Sequence, residues 1–176
     1  PFFLSPHNPD IVYHGMQYVM MSRDRGDTWD FISPDLSYNN PKKLGDISYQ
    51  TISSLSESPL RPGLLYAGTD DGRLHRTRDG GKTWTEILRG LPSGKWISRV
   101  EASRFDLGTV FMCQNGKRDD DFQVYVWKSI DYGSTWKDIS ANIPIGPVNV
   151  IRKDPINEDI LYVGTDIGVY VSRDGG

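Results

Sequence analysis

The sequence predicts an all-β fold, a β-propeller built from four-stranded antiparallel blades. Three observations predict it. An eight-residue phrase of the form S/T-x-D-x-G-x-T-W occurs three times and begins a fourth time. The aspartates of these phrases recur at intervals of 55, 52 and 43 residues. Each phrase also follows a pair of strand-like runs joined by a polar turn. A repeat of this length marks propellers or solenoids, and four short strands per repeat make a propeller blade. No stretch carries amphipathic helical spacing with caps.

The phrases are Ser22, Asp24, Gly26, Thr28, Trp29; Thr77, Asp79, Gly81, Thr83, Trp84; and Ser129, Asp131, Gly133, Thr135, Trp136. Ser172, Asp174 and Gly176 begin the fourth. Each reads as a hairpin. Apolar runs such as Tyr18–Met21, Val124–Trp127 and Val169–Val171 supply one strand, and the Thr-Trp pair opens the next. Glycine at the turn takes positive φ without a steric penalty. The aspartate accepts backbone N–H groups across the turn, for roughly 1 kcal/mol per bond. The tryptophan is the larger contribution, since an aromatic buries about 150–250 Å². Catalytic carboxylates need one environment, whereas Asp24, Asp79 and Asp131 sit in repeated ones. They are expected to fasten hairpins.

Upstream, Phe2–Leu4 precedes Ile11–Tyr13, and Ser53–Leu55 precedes Leu64–Gly68. Val100–Ala102 precedes Val110–Met112, and Val150–Lys153 precedes Ile160–Gly164. Pro and Asn in the intervening turns fix φ and supply local hydrogen bonds. The whole chain, residues 1–176, thus reads as a partial propeller with blades at about 2–33, 48–88, 97–140 and 148–176. The last blade lacks its outer strand, and unpaired blade edges invite association. The expectation is a segment of a larger propeller, partnered by further blades of a parent chain or by self-association.

Composition bounds the rest. The chain has 37% hydrophobic and 24% charged residues, ordinary for a soluble β protein. Its net charge of −3 gives no electrostatic case for nucleic acid. No apolar run approaches the roughly 20 residues of a membrane span. Cys113, the single cysteine, lies in an apolar run and reads as a buried small hydrophobe. His7, His14 and His75 lack metal-like spacing, and neither metal nor cofactor is expected.

The phrase S/T-x-D-x-G-x-T-W resembles the Asp box, or BNR repeat, of sialidases, microbial xyloglucanases and sortilin-type receptors. Further segments narrow the resemblance: Ser5–Pro9, Ile32–Leu36, Leu65–Gly72, Trp96–Ser103, Asp119–Phe122 and Gly146–Arg152. Together they look like the large bacterial BNR-repeat proteins with sortilin-like propellers that are labelled glycosyl hydrolases. The resemblance implies a secreted or envelope propeller of more blades, with its Asp boxes peripheral to the ligand face. A photosystem-assembly type of BNR propeller shares only the generic repeat. The F/Y-R-I-P motif of sialidases is absent, and no local pattern matches the paired aspartates of xyloglucanases.

Ligands of propellers usually meet the loops joining the second strand to the third and one blade to the next. Here these are 34–47, 68–73, 89–97, 114–123, 141–147 and 164–168. Trp96 is placed to stack on a ligand or to pack against a neighbouring blade. Arg99 and Glu101 alternate onto one face of an inner strand, where they line the channel or pair with each other. Asp70, Asp71 and Asp166 recur at equivalent loop positions, which favours a turn role. The run Lys117–Asp121 reads as a solvated loop, because calcium wants six to eight oxygens from one tight loop. His14 falls in an expected loop between strands two and three.

The leading expectation is a glycan- or peptide-binding or scaffold module of a larger secreted bacterial protein. Trp96, Arg99 and His14 are its candidate ligand contacts. The alternative is a xyloglucanase-like glycoside hydrolase using two carboxylates about 6.5–9.5 Å apart, drawn from Glu101, Asp70, Asp71 and Asp166.

Overall fold

The structure, a computed structural model, describes residues 1–43 and 49–176. Among these, the strands form four antiparallel sheets, each ordered as in the sequence. Blade one holds β1 (Phe2–Leu4), β2 (Val12–Gly15), β3 (Val19–Ser22) and β4 (Asp30–Phe31). Blade two holds β5 (Ile52–Glu57), β6 (Leu65–Thr69), β7 (Leu74–Thr77) and β8 (Thr85–Glu86). Blade three holds β9 (Trp96–Ala102), β10 (Val110–Asn115), β11 (Tyr125–Ser129) and β12 (Lys137–Asp138). Blade four has three strands, β13 (Val148–Lys153), β14 (Leu161–Thr165) and β15 (Val169–Ser172). The expected start of blade two at 48 and the last part of the 34–47 loop lie outside the described residues. No helix among the described residues is long and apolar enough to cross a membrane.

The core lies in the seams between blades. Tyr13, Val19, Leu55 and Leu65 fill the first seam, Tyr66, Leu74, Ile97 and Met112 the second, and Phe111, Val126, Ile151 and Leu161 the third. This arrangement explains why β6 and β10 are buried at every residue, whereas β4, β8 and β12 are wholly exposed. A strand between two neighbouring sheets buries both of its faces, and an outer-edge strand buries neither. The stacking is close. A methyl group added at Gly68 would stand 2.3 Å from Ile97 Cγ2 in the next blade.

The motif hairpins share one bonding scheme. In the first, Thr28 donates to Asp24 through its amide (2.8 Å) and its hydroxyl (2.6 Å). Ser22 donates to the same carboxylate at 2.7 Å and accepts the Gly26 amide at 2.7 Å. Asp79 and Asp131 receive the corresponding bonds from Thr83 and Thr77, and from Thr135 and Ser129. Ser172 bonds Asp174 at 2.5 Å and Gly176 at 3.1 Å. The threonine bonds, more than any other cause, hold Asp24, Asp79 and Asp131 down to about 2. Both turn positions are left-handed: φ is 107° at Gly26 and 62° at Arg25, so a non-glycine residue carries part of the strain.

Two of the three motif tryptophans reach beyond their own hairpins. Trp84 donates its indole N–H to the Ile32 carbonyl at 2.8 Å, and Trp136 to that of Ile87 at 2.8 Å. Each half-buried indole therefore fastens its blade to the one before it. Trp29 bonds Gly26 within its own turn, at 2.9 Å.

The inner strands are joined differently. β5, β9 and β13 each slip register once, at Ser53, Ser98 and Asn149. Such a bulge re-aims the side chain at the extra residue. Ser53 Oγ donates to the Ile97 carbonyl and Ser98 Oγ to the Val148 carbonyl, both at 2.7 Å and both into the next blade. Ser54 and Ser56 accept the amides of Val100 and Ala102 at 2.8 and 3.2 Å.

Candidate functional site

Two places gather residues that the repeat does not explain. The first is the channel wall. Counted from the bulges, Arg99 stands where the adjacent inner strands have Ser54 and Val150, and Glu101 where they have Ser56 and Arg152. Arg99 and Glu101 do not pair with each other. Glu101 bonds Arg152 of the next blade at 2.6 Å and accepts the Lys153 amide at 3.0 Å. Arg99 has no carboxylate partner among the described residues, and its Nε is buried without a hydrogen bond. Burial, reinforced by Arg152, lowers its pKa. The groove beside it, about 380 Å³, is lined by Phe2, Glu57, Arg99, Glu101, Arg104 and Arg152 among others. Glu57 is already saturated by Ser5 (2.5 Å), Tyr13 (3.0 Å) and the Gly63 amide (2.9 Å). What remains free on this wall is cationic.

The second place is the face where blade-to-blade connections meet the loops between second and third strands. Trp96 opens β9 there, half-buried, with its indole Nε1 shielded and unbonded. Asp70 accepts the Thr51 amide at 2.8 Å, which ties its loop to the start of the inner strand. Asp71 accepts from Thr69 Oγ1 at 2.5 Å and from the Tyr38 amide at 2.7 Å. Asp166 receives Lys117 at 2.6 Å and Asn149 at 2.8 Å, and these bonds hold its pKa low.

The run 117–121, expected as a solvated loop, is stitched to this face. A short 3-10 turn, Lys117–Asp119, presents Lys117 to Asp166 and Arg118 to Asp70 at 3.3 Å. Asp121 receives Lys95 at 2.9 Å and Tyr125 at 2.8 Å, and Lys95 first among its partners holds it down to about 2. Lys117 to Asp120 remain exposed, while the ion pairs of Lys117, Arg118 and Asp121 tie the loop to the face.

Other candidates lie apart. His14 is inside β2, not in a loop, with its ring 6.0 Å from that of Trp29. His75 is buried on β7, where desolvation and then Arg73 push its pKa down to about 4. Cys113 is fully buried and burial pushes its thiol up, so it is inert. Among the described residues no three His, Cys, Asp or Glu side chains cluster as metal ligands. A cavity of about 660 Å³ lies between blades three and four beside Ile139, Leu161, Val163 and Tyr170. Ile139 there corresponds to Ile32 and Ile87, whose carbonyls hold the motif indoles, so this cavity belongs to blade packing.

Sequence reasoning gathered Arg99 with Glu101, and Asp70 with Asp71. It missed Arg152, Arg118, Tyr49 and the bulged serines. Only the serines left a signal, recurring at matched places in two inner strands.

No family model matches the chain. An alignment 176 positions long, covering 89% of this chain and 10% of that protein, is 27% identical to "vacuolar protein sorting/targeting protein 10" of Zygosaccharomyces rouxii. Among solved structures, an ancestral GH74 enzyme superposes over the whole chain with a TM-score of 0.73 at 19% identity, using 23% of its own length. The GH74 xyloglucanase of Xanthomonas campestris gives 0.68 at 14% identity, over 99% of this chain and 29% of that one. YCF48 bound to D1 peptide gives 0.57 at 17% identity, over 94% of this chain and 49% of that one. These likenesses show a propeller fold shared with glycoside hydrolases and with a peptide-bound protein. The chain spans a tenth of the yeast relative and about a quarter of the GH74 chains.

Proposed function

We propose that this chain is a peptide-binding segment of a propeller that works outside the cytosol, as a docking surface and not as a hydrolase. The observation that carries this reading is Arg99. A partly buried guanidinium whose Nε is shielded and unbonded, and which has no acid partner among the described residues, favours an incoming acceptor, whether a carboxylate or a run of peptide carbonyls. The groove beside it has room for an extended segment, and Arg104 adds to its positive field. Similar proteins agree in kind: one structure holds a peptide, and the yeast relative is a sorting protein.

The hydrolase alternative needs two convergent carboxylates, one of them kept protonated by its surroundings. Glu101, Asp70 and Asp166 each face a cation, and Asp71 accepts from a hydroxyl and an amide. The bonds from Lys117 and Asn149 lower the pKa of Asp166, which keeps it in the ionised form that cannot donate a proton to a leaving group.

The test pairs two assays. A peptide array probed with the purified chain should return binders whose affinity falls at least tenfold with Arg99→Gln. Release of reducing ends from xyloglucan should stay at background. Hydrolysis of xyloglucan that disappears with Glu101→Gln would replace this reading with the glycosidase.

A further inference from the structure

The loop face contains a cation held in an aromatic cradle. The Arg118 guanidinium lies 5.0 Å from the Trp96 ring and 5.7 Å from the Tyr49 ring. Its Nη1 meets Asp70 Oδ2 at 3.3 Å. The carboxylate of this cradle is held in place. The Asp70 side chain is only 6% exposed, and its other oxygen is pinned by the Thr51 amide. Burial, and then the charges of Asp71 and Asp70, raise the pKa of Tyr49, so its ring stays neutral beside the carboxylates. The occupant is not rigid. Arg118 is 51% exposed on a three-residue 3-10 turn.

We infer that the Trp96–Tyr49–Asp70 cradle is a recognition site for an arginine side chain of a partner peptide, occupied in this structure by the chain's own Arg118. The inference rests on the peptide-binding reading above and names one residue class of the ligand. A buried carboxylate left unpaired is costly, so Asp70 demands a cation. It does not demand that particular one. A half-exposed ion pair and a cation–π contact at such a site each hold Arg118 only weakly. An arginine delivered by a bound peptide brings the same two interactions together with its own backbone contacts. The exchange needs a side-chain rotation and no opening of the loop. Lys117 to Asp166, and Asp121 to Lys95, hold the loop in place after Arg118 has swung out. Arg118 thus acts as a built-in competitor, and removing it should strengthen the site.

The experiment titrates the chain with N-acetyl-arginine amide, reading Trp96 fluorescence against a Trp96→Phe control. Arg118→Ala should bind the probe at least tenfold more tightly than the unsubstituted chain, and N-acetyl-citrulline amide should not bind. Adding Asp70→Asn, which keeps the acceptor for Thr51, should abolish the gain. Should Arg118→Ala fail to fold, Arg118→Gln preserves the chain length and gives the same comparison. Equal affinity with and without Arg118, or a gain indifferent to Asp70→Asn, overturns the inference. Array peptides that bind through Arg99 while the arginine probe does not would sink this site and leave the proposed function standing.

Discussion

The motif hairpins and the inner strands solve opposite problems. Apart from the indoles of Trp84 and Trp136, each hairpin satisfies its polar groups locally: one carboxylate, two hydroxyls and the turn amides close on themselves. The inner strands satisfy theirs at a distance, through Ser53, Ser98 and Glu101 reaching into the next blade. A self-contained device can be copied from blade to blade unchanged. A device that depends on its neighbour must change whenever the neighbour does. Positions matched across the inner strands accordingly read Ser54, Arg99, Val150 and Ser56, Glu101, Arg152, whereas the motif aspartate never varies. Repetition marks scaffold, and its failure marks where to look for ligand chemistry.

The sharpest way to break this contrast is Trp136→Ala. It empties a seam and frees the Ile87 carbonyl, and should cost about 3 kcal/mol in urea unfolding. A loss below about 1 kcal/mol would mean that the hairpins do not hold the blades together. Gly68→Ala attacks the same stacking from inside, driving a methyl against Ile97. It should cost about 2 kcal/mol, and Ile97→Val in the same chain should return part of that loss.

Lowering the pH should separate two contributions. His75 has a folded value of about 4 against an ordinary 6.5, so the unfolded chain binds the extra proton first. Stability should therefore fall as the pH drops from about 6.5 toward 4, on the order of 1 kcal/mol between pH 7 and pH 5. His75→Gln should flatten that step. The motif aspartates act lower. Their ordinary value is 3.8 and their folded value about 2, so their contribution is intact above pH 4 and lost on acidification toward pH 2. The smallest stability effect belongs to the channel. Arg99→Gln should leave unfolding within about 0.5 kcal/mol while removing peptide binding, and a large destabilisation would make Arg99 part of the scaffold.

The fold was legible because the hairpin is a local object. Thr77, Asp79, Gly81 and Thr83 bond one another, so their spacing in the sequence is their geometry. The indole seats were not legible, since Trp84 finds its acceptor 52 residues away. The same holds for the site. Alternation placed Arg99 and Glu101 on one strand, but the partner of Glu101 lies 51 residues further on. The charge run 117–121 looked solvated because its counter-ions, Asp70, Lys95 and Asp166, come from three other loops. His14 falls in a strand and not a loop because the turn after β2 begins at Met16, two residues later than the sequence indicates.

The reach of the indoles has a direction. Trp84 and Trp136 each take an acceptor already passed along the chain, Ile32 and Ile87, and never one still to come. Ser53 and Ser98 reach the other way, to Ile97 and Val148 of the following blade, so the seam between blades two and three is latched from both of its sides.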